Sequence, residues 1–326
     1  MSFPERRLRR TRRTPALREL VAETRLHPSD LVAPLFVREG IDEAVPIGSL
    51  PGESQHSLAS LRTEVERLGD LGVPGVILFG VPKIKDAQGS GAWDPDGIVQ
   101  VALRELRDAV GDSMVLMADT CLDEYTDHGH CGLLDVNGAV DNDATIELYT
   151  RAAIAQADAG ADVIAPSGMM DGQIEAIRVG LDGSGHADSL ILAYAAKYAS
   201  ALYGPFRDAV DVQIAGGGDR KSYQQDWRNA REAAEEIRLD VAEGADMIMV
   251  KPAMAYIDIL VAARAEHDIP LAAYHVSGEF AMIKAAAANG WIDGPAVAME
   301  TVSAIKRAGA DFVLTYFAGE LAEALQ

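Results

Sequence analysis

Lysine is scarce in this chain: seven in 326 residues. Cysteine is scarcer, with only Cys121 and Cys131, which excludes a disulfide framework. No uninterrupted apolar run reaches 18 residues, so no membrane-spanning helix is expected. The opening residues, MSFPERRLRRTRRTP, lack the apolar stretch of a secretory signal, and the expected location is cytoplasmic. Positive charge is short overall, 29 Lys and Arg against 50 Asp and Glu, and the net charge of −21 argues against nucleic acid as a partner. A Gly-rich phosphate loop is missing after the first strand-like run, which argues against a doubly wound nucleotide-binding sheet. Gly216-Gly217-Gly218 reads as a loop, not a phosphate cradle.

What is present is a repeated alternation. Apolar runs of strand length stand at 31–37, 75–80, 114–119, 161–166, 190–196, 246–251, 271–276 and 311–316. They are continuously apolar, as strands buried on both faces are. Segments of helical period separate them, for example Leu58–Leu71, Ile98–Val110, Asp143–Gly160, Asp226–Gly244, Tyr256–Glu266 and Gly278–Asn289. Three strands are entered through one phrase, Gly-Ala-Asp at 160–162, 244–246 and 309–311, whose glycine suits a helix C-cap. Eight strand–helix units predict an α/β (β/α)8 TIM barrel over residues 30–326. Residues 1–29 fit no barrel element and read as an extended N-terminal arm. Its seven arginines among residues 1–18, against Glu5 alone, suit an acidic neighbouring subunit, so the arm is expected to serve oligomerisation.

Two of the seven lysines close apolar strands, Lys197 and Lys251. A buried ammonium is costly unless paired, and desolvation lowers its pKa. A neutral amine attacks ketones to form Schiff bases. Two uncharged amines at equivalent strand ends therefore suggest a site handling two carbonyl groups; the competing reading is that each lysine reaches the rim beside a carboxylate. Barrel sites form at the carboxyl ends of the strands. There the chain places Asp119, Ser167, Lys197, Lys251, Ser277 and Tyr316.

The loop after the third strand, Asp119 to Gly132, crowds Cys121, Asp123, His128, His130 and Cys131 together, donors that suit zinc. Between strand five and its helix about 28 residues, 198–225, read as an active-site lid. Arg207 and Arg220 on it could grip carboxylates bidentately, with Gln224 adding a hydrogen bond.

The motifs YTDHGHCG (125–132), APSGMMDGQIEAIR (165–178), KYASALYGPFRDA (197–209), GDRKSYQ (218–224), EGADMIMVKPAMAYIDI (243–259) and AYHVSGEFAM (273–282) carry a resemblance to the 5-aminolevulinate dehydratase (porphobilinogen synthase) family. It covers essentially the whole chain. The resemblance implies an enzyme, a hydro-lyase, that condenses two 5-aminolevulinate molecules to porphobilinogen with loss of two waters, an early step towards haem and other tetrapyrroles. It implies a homo-octamer. It assigns Lys251 to the substrate that keeps the propionate side of the product and Lys197 to the other. Ser277 and Tyr316 match the grip on the first carboxylate, with Tyr274 packing on that substrate. Arg207, Arg220 and Gln224 match the clamp on the second, and Asp119 and Ser167 match polar groups around its amine. Tyr203 and Phe206 match lid positions that close over the pocket.

The chain departs from the family pattern twice. Where zinc-dependent relatives carry three cysteines and zinc-independent ones other residues, often aspartates, it has Cys121, Asp123 and Cys131, so active-site Zn2+ is expected on a mixed set, with magnesium or no metal as the alternatives. Gly168 stands where many relatives have an acidic residue, and the sequence offers no reason. The resemblance also matches Glu236 to a glutamate that helps hold allosteric Mg2+. The rivals are an aldolase-like Schiff-base lyase, for which one lysine suffices, and a barrel that binds without turnover.

Overall fold

The computed structural model describes residues 2–215 and 218–326. Two glycines of the run at 216–218 therefore lie outside the described residues. Among the described residues ten strands form one sheet: β1 (Leu31–Arg38), β2 (Val45–Pro46), β3 (Ser54–His56), β4 (Gly75–Val81), β5 (Val115–Thr120), β6 (Val163–Pro166), β7 (Leu190–Lys197), β8 (Met247–Lys251), β9 (Leu271–His275) and β10 (Phe312–Thr315). The eight longest neighbours run parallel in chain order from β1 through β4 to β10, and β10 pairs back onto β1, which closes the barrel. Each begins and ends within two residues of its expected run. The antiparallel β2–β3 pair, with β3 lying along β1, is an addition the pattern did not announce.

The α-helices are α1 (Pro15–Leu20), α2 (Leu58–Asp70), α3 (Ile98–Val110), α4 (Asn142–Asp158), α5 (Gln173–Gly183), α6 (Gly204–Ala209), α7 (Ala230–Ala242), α8 (Ile257–Glu266), α9 (Ser277–Ala288), α10 (Gly294–Arg307) and α11 (Ala318–Ala324). The helix expected from Asp226 starts four residues later. Asp226 Oδ1 instead accepts from the Arg228 backbone, and this turn delays the first helical bond. Among the described residues no helix is long and apolar enough to cross a membrane.

The Gly-Ala-Asp phrase has a structural purpose. Gly160, Gly244 and Gly309 have φ of +101°, +107° and +122°, ending their helices as expected. The aspartate that follows caps the neighbouring strand: Asp162 Oδ2 accepts from Leu116 N at 2.8 Å, Asp246 Oδ2 from Ile191 N at 2.7 Å and Asp311 Oδ2 from Leu271 N at 2.8 Å. Each pairs with an arginine from an outer helix, Arg107 of α3, Arg178 of α5 and Arg264 of α8. These clasps bind one end of the barrel and leave the other, where the lysines stand, free for chemistry. Residues 2–29 form a 3-10 turn, Leu8–Arg12, and α1, neither with a buried residue; Phe3, Leu8 and Leu20 are each more than two-thirds exposed.

Candidate active site

The barrel wall sets the two lysines side by side. Lys197 of β7 and Lys251 of β8 are register partners. A register shift between Ala193 and Ala196 makes them so; in the register of Ala193 with Ile248, Lys197 would stand opposite Pro252. Such irregularities re-aim side chains near active sites. Next along the wall, Asp119 of β5 accepts from Ser167 Oγ at 3.1 Å, and Lys197 Nζ donates to the Ser167 carbonyl. All four residues are buried.

The two amines differ electrically. The Lys251 Nζ is boxed by the rings of Tyr274, Tyr194, Phe206 and Tyr203, at 4.3, 5.0, 5.2 and 5.4 Å from their centroids. Burial, and then the charge of Lys197, lower its pKa to about 7. For Lys197 burial acts the same way, but Cys131, Cys121, Asp123 and Asp119 outweigh it and hold its pKa above the usual lysine value. The expectation of two uncharged amines is thus corrected to one, Lys251, because the anionic loop faces Lys197. Burial lifts Asp119 to about 6, with both lysines opposing.

One ligand atom each from Cys121, Asp123 and Cys131 lies within 4.8 Å of the other two, and all three residues are buried, so the cluster could hold a metal ion. Burial opposes the Asp123 charge, but Arg220 and then Lys197 hold its pKa well below the carboxylate range; Arg220 Nη2 lies 2.7 Å from Asp123 Oδ2. Burial and the Cys131 contact push Cys121 up, whereas for Cys131 the Cys121 hydrogen bond and Arg220 outweigh burial and bring it down. Neither histidine joins this cluster: His128 Nε2 lies 3.3 Å from the Ala87 carbonyl, and His130 Nδ1 lies 3.1 Å from Tyr223 Oη.

The structure also accounts for Gly168. A β-carbon there would lie 2.1 Å from Tyr149 Oη and 2.3 Å from Tyr149 Cζ. That hydroxyl donates to the Cys131 carbonyl at 2.8 Å and lies 3.3 Å from Cys121 Sγ. A bulky hydroxylated ring on α4 takes the room another chain would give to a side chain at this position.

Tyr203, Phe206, Arg207 and Arg220, all between 198 and 225, line the space over the lysines. The space between them and Asp119, Phe206, Arg207 and Arg220 is about 10 Å³, room for no more than a water. Immediately outside lies a cavity of about 430 Å³ that shares Arg207 and Arg220 and adds Gln224. Arg207 Nε, Arg220 Nε and Gln224 Nε2 are buried donors without an acceptor. Ser277, Tyr203 and Tyr316 already have partners. Ser277 Oγ accepts from Phe206 N at 3.0 Å, Tyr203 Oη donates to the Lys251 carbonyl at 3.3 Å, and Tyr316 Oη lies 3.3 Å from Tyr274 Oη. Glu236 is elsewhere, in a cleft of about 300 Å³ with Asp171 and Glu232. Burial and those two acids raise its pKa.

Sequence reasoning missed three residues of this neighbourhood. Tyr194 lies three residues before Lys197 on β7, and a hydroxyl inside an apolar strand was the available signal. Glu124 lies within the loop 119–132, where an acid beside Asp123 was the available signal. Tyr149 sits within a helical pattern that says nothing of the loop it touches.

The profile of the delta-aminolevulinic acid dehydratase family matches residues 5–324. Delta-aminolevulinic acid dehydratase of Mycobacterium leprae is 58% identical over 322 residues, covering 98% of this chain and 97% of the relative. The Streptomyces coelicolor protein of the same name is 56% identical over 327 residues, covering 100% and 98%. Among solved structures, the delta-aminolevulinic acid dehydratase (porphobilinogen synthase) of Toxoplasma gondii ME49, in complex with its reaction product porphobilinogen, superposes with a TM-score of 0.96. It is 44% identical, covering 98% of this chain and 91% of that one. The chain therefore belongs to the delta-aminolevulinic acid dehydratase family of lyases.

Proposed function

We propose that this protein condenses two molecules of 5-aminolevulinate to porphobilinogen, losing both ketone oxygens as water, through Schiff bases on Lys251 and Lys197. The observation that carries the reading is the cross-strand lysine pair with unequal amines. The Lys251 amine, with a pKa of about 7, is the nucleophile ready at neutral pH. Its iminium acidifies the adjacent carbon, and Asp119, at about 6, is placed to take up a proton. Lys197 attacks the second ketone after giving its proton to the anionic surroundings, with Asp119 and Ser167 about the second amine.

The three orphan donors of Arg207, Arg220 and Gln224 fit the second substrate's carboxylate. Ser277 and Tyr316 take the first carboxylate once their present bonds are exchanged, and Tyr274 packs on that substrate. Anchoring both acids makes the condensation nearly unimolecular, an advantage of up to about 7–11 kcal/mol. The 10 Å³ interior admits no substrate, so the 198–225 segment acts as a lid that opens for entry and closes with Tyr203 and Phe206 to exclude water.

Buried thiol and carboxylate donors on Cys121, Asp123 and Cys131 fit Zn2+. When bound, zinc supplies Lewis acidity beside the second substrate. The acidic cleft of Glu236 fits allosteric Mg2+, which needs only one or two carboxylates. The arginine-rich arm, exposed over Leu8–Arg12 and Pro15–Leu20, fits a homo-octamer assembled through neighbouring acidic barrels, and a cytoplasmic tetrapyrrole pathway gives the product its use.

Incubation with 5-aminolevulinate and assay of the pyrrole product is the direct test, with borohydride trapping and peptide mapping expected to label Lys251 and Lys197. An aldolase-like enzyme would tolerate Lys197→Ala and label one lysine. Full activity without zinc after chelation excludes the zinc role, and a Glu236→Ala variant whose magnesium response matches the parent excludes the second site. Light scattering of a chain lacking residues 1–29 tests the arm; an unchanged octamer removes its role.

A further inference from the structure

Glu124 is a buried acid that lines the space shared by the two lysines yet hydrogen-bonds to neither of them nor to the lid. It is 2% exposed, and both of its carboxylate oxygens lack a hydrogen-bond partner. The carboxylates beside it are partly occupied: Asp123 Oδ2 holds Arg220 Nη2 at 2.7 Å, and Asp119 Oδ2 holds Ser167 Oγ at 3.1 Å. One ligand atom each from Asp119, Cys121 and Glu124 lies within 4.8 Å of the other two. This set shares Cys121 with the Cys121, Asp123 and Cys131 cluster. A buried carboxylate with no donor is costly, and like-charged neighbours add to the cost. A divalent cation removes both penalties at once, and mixed thiolate and carboxylate donors suit a borderline ion of the zinc type.

We propose that Glu124 supplies a carboxylate ligand to the divalent cation held at Cys121, so that the metal centre extends towards Asp119 and the lysines. The inference rests on the metal-binding reading above and deepens it. It also divides labour among the acids: Asp123 gives its Oδ2 to Arg220 and has only its other oxygen for the metal, while Glu124 has both oxygens without a partner.

The test is zinc and cobalt titration of the metal-free full-length protein against a chromophoric chelator, for the parent and Glu124→Gln. The amide keeps the shape and removes the charge. Zinc affinity is expected to fall by about tenfold or more, the least that losing even an outer partner of a ligand costs. The cobalt ligand-field bands should shift while the thiolate-to-cobalt band persists. The metal-free variant should melt no lower than the parent, since a buried carboxyl has been replaced by a neutral group. Unchanged affinity and spectrum overturn the proposal, as does a lower melting temperature with unchanged affinity, which marks a structural role. Anomalous scattering from zinc-loaded parent crystals decides independently of any variant. An ion about 2.0–2.2 Å from a Glu124 oxygen supports the assignment, and an ion touching only Cys121, Asp123 and Cys131 overturns it. Porphobilinogen formation by the parent, assayed in parallel, tests the enzymatic reading alone; turnover with zinc binding that ignores Glu124 overturns only the ligand assignment.

Discussion

The hydroxyl of Tyr149 occupies the space that a β-carbon at residue 168 would need, and it bridges towards both loop cysteines. The two positions are therefore expected to be coupled. Gly168→Ala should cost about 1–3 kcal/mol, the usual range for overpacking a filled site. Thermal or denaturant melts would measure it. In a Tyr149→Leu background the same substitution should cost less, since the hydroxyl and ring carbon it strikes are gone. Strictly additive losses in the double-mutant cycle would show that the two do not compete for space.

Lys251 sets the pH response. Its amine is protonated below about 7, so borohydride trapping at Lys251 should rise roughly tenfold per pH unit up to that point and then level off. The Lys197 charge contributes to the lowered value, so Lys197→Met should move the rise to higher pH. Asp119 acts in the opposite direction, and Asp119→Asn should move it lower. Peptide mapping of trapped protein across pH gives the profile; one that ignores both substitutions would refute the electrostatic account.

The aspartate clasps at the opposite end of the barrel predict a loss of stability without a loss of chemistry. Asp246→Ala removes the acceptor for the Ile191 backbone amide, at 2.7 Å, and a partner of Arg178. An unsatisfied buried amide costs about 1–3 kcal/mol. The melting temperature should fall, while product formation per folded molecule stays at the parent value. A variant equally stable, or stable but slow, would contradict this.

The barrel was legible because strands buried on both faces are continuously apolar and the Gly-Ala-Asp phrase punctuates them in fixed order. The β2–β3 pair escaped because two- and three-residue strands carry no period. Helices α5 and α10 lay outside the expected segments: glycines at 180 and 183 and a Gly-Pro start blur their patterns. In the site, Lys197, Lys251, Asp119 and Ser167 were readable as polar residues at apolar strand ends. Their unequal charge states were not, because these depend on which side of the barrel faces Cys131 and Asp123. Tyr149 and Glu124 were hidden for the same reason: each acts through a neighbour that only the fold supplies.

Arg207 and Arg220 look alike in the sequence, yet they are expected to fail differently. Arg220 is 6% exposed and ion-paired with Asp123 at 2.7 Å. Arg220→Ala would break that buried pair, at a cost of about 3–5 kcal/mol. Stability should fall most at neutral pH and recover as pH drops. Arg220 is the largest charge holding Asp123 ionised, so without it the folded pKa of Asp123 rises from its depressed position and the charged carboxylate contributes less stability above that pKa. Asp123→Asn in the same chain should restore part of the loss. Arg207 is half-buried, with its Nε lacking an acceptor, and Arg220's charge opposes its own. Arg207→Ala should therefore leave the melting temperature near that of the parent while raising KM for 5-aminolevulinate. Melts and steady-state kinetics on the two variants, with the Asp123→Asn double variant, separate these roles. Equal stability losses for Arg207→Ala and Arg220→Ala would mean that the Asp123 pair does not stabilise the fold.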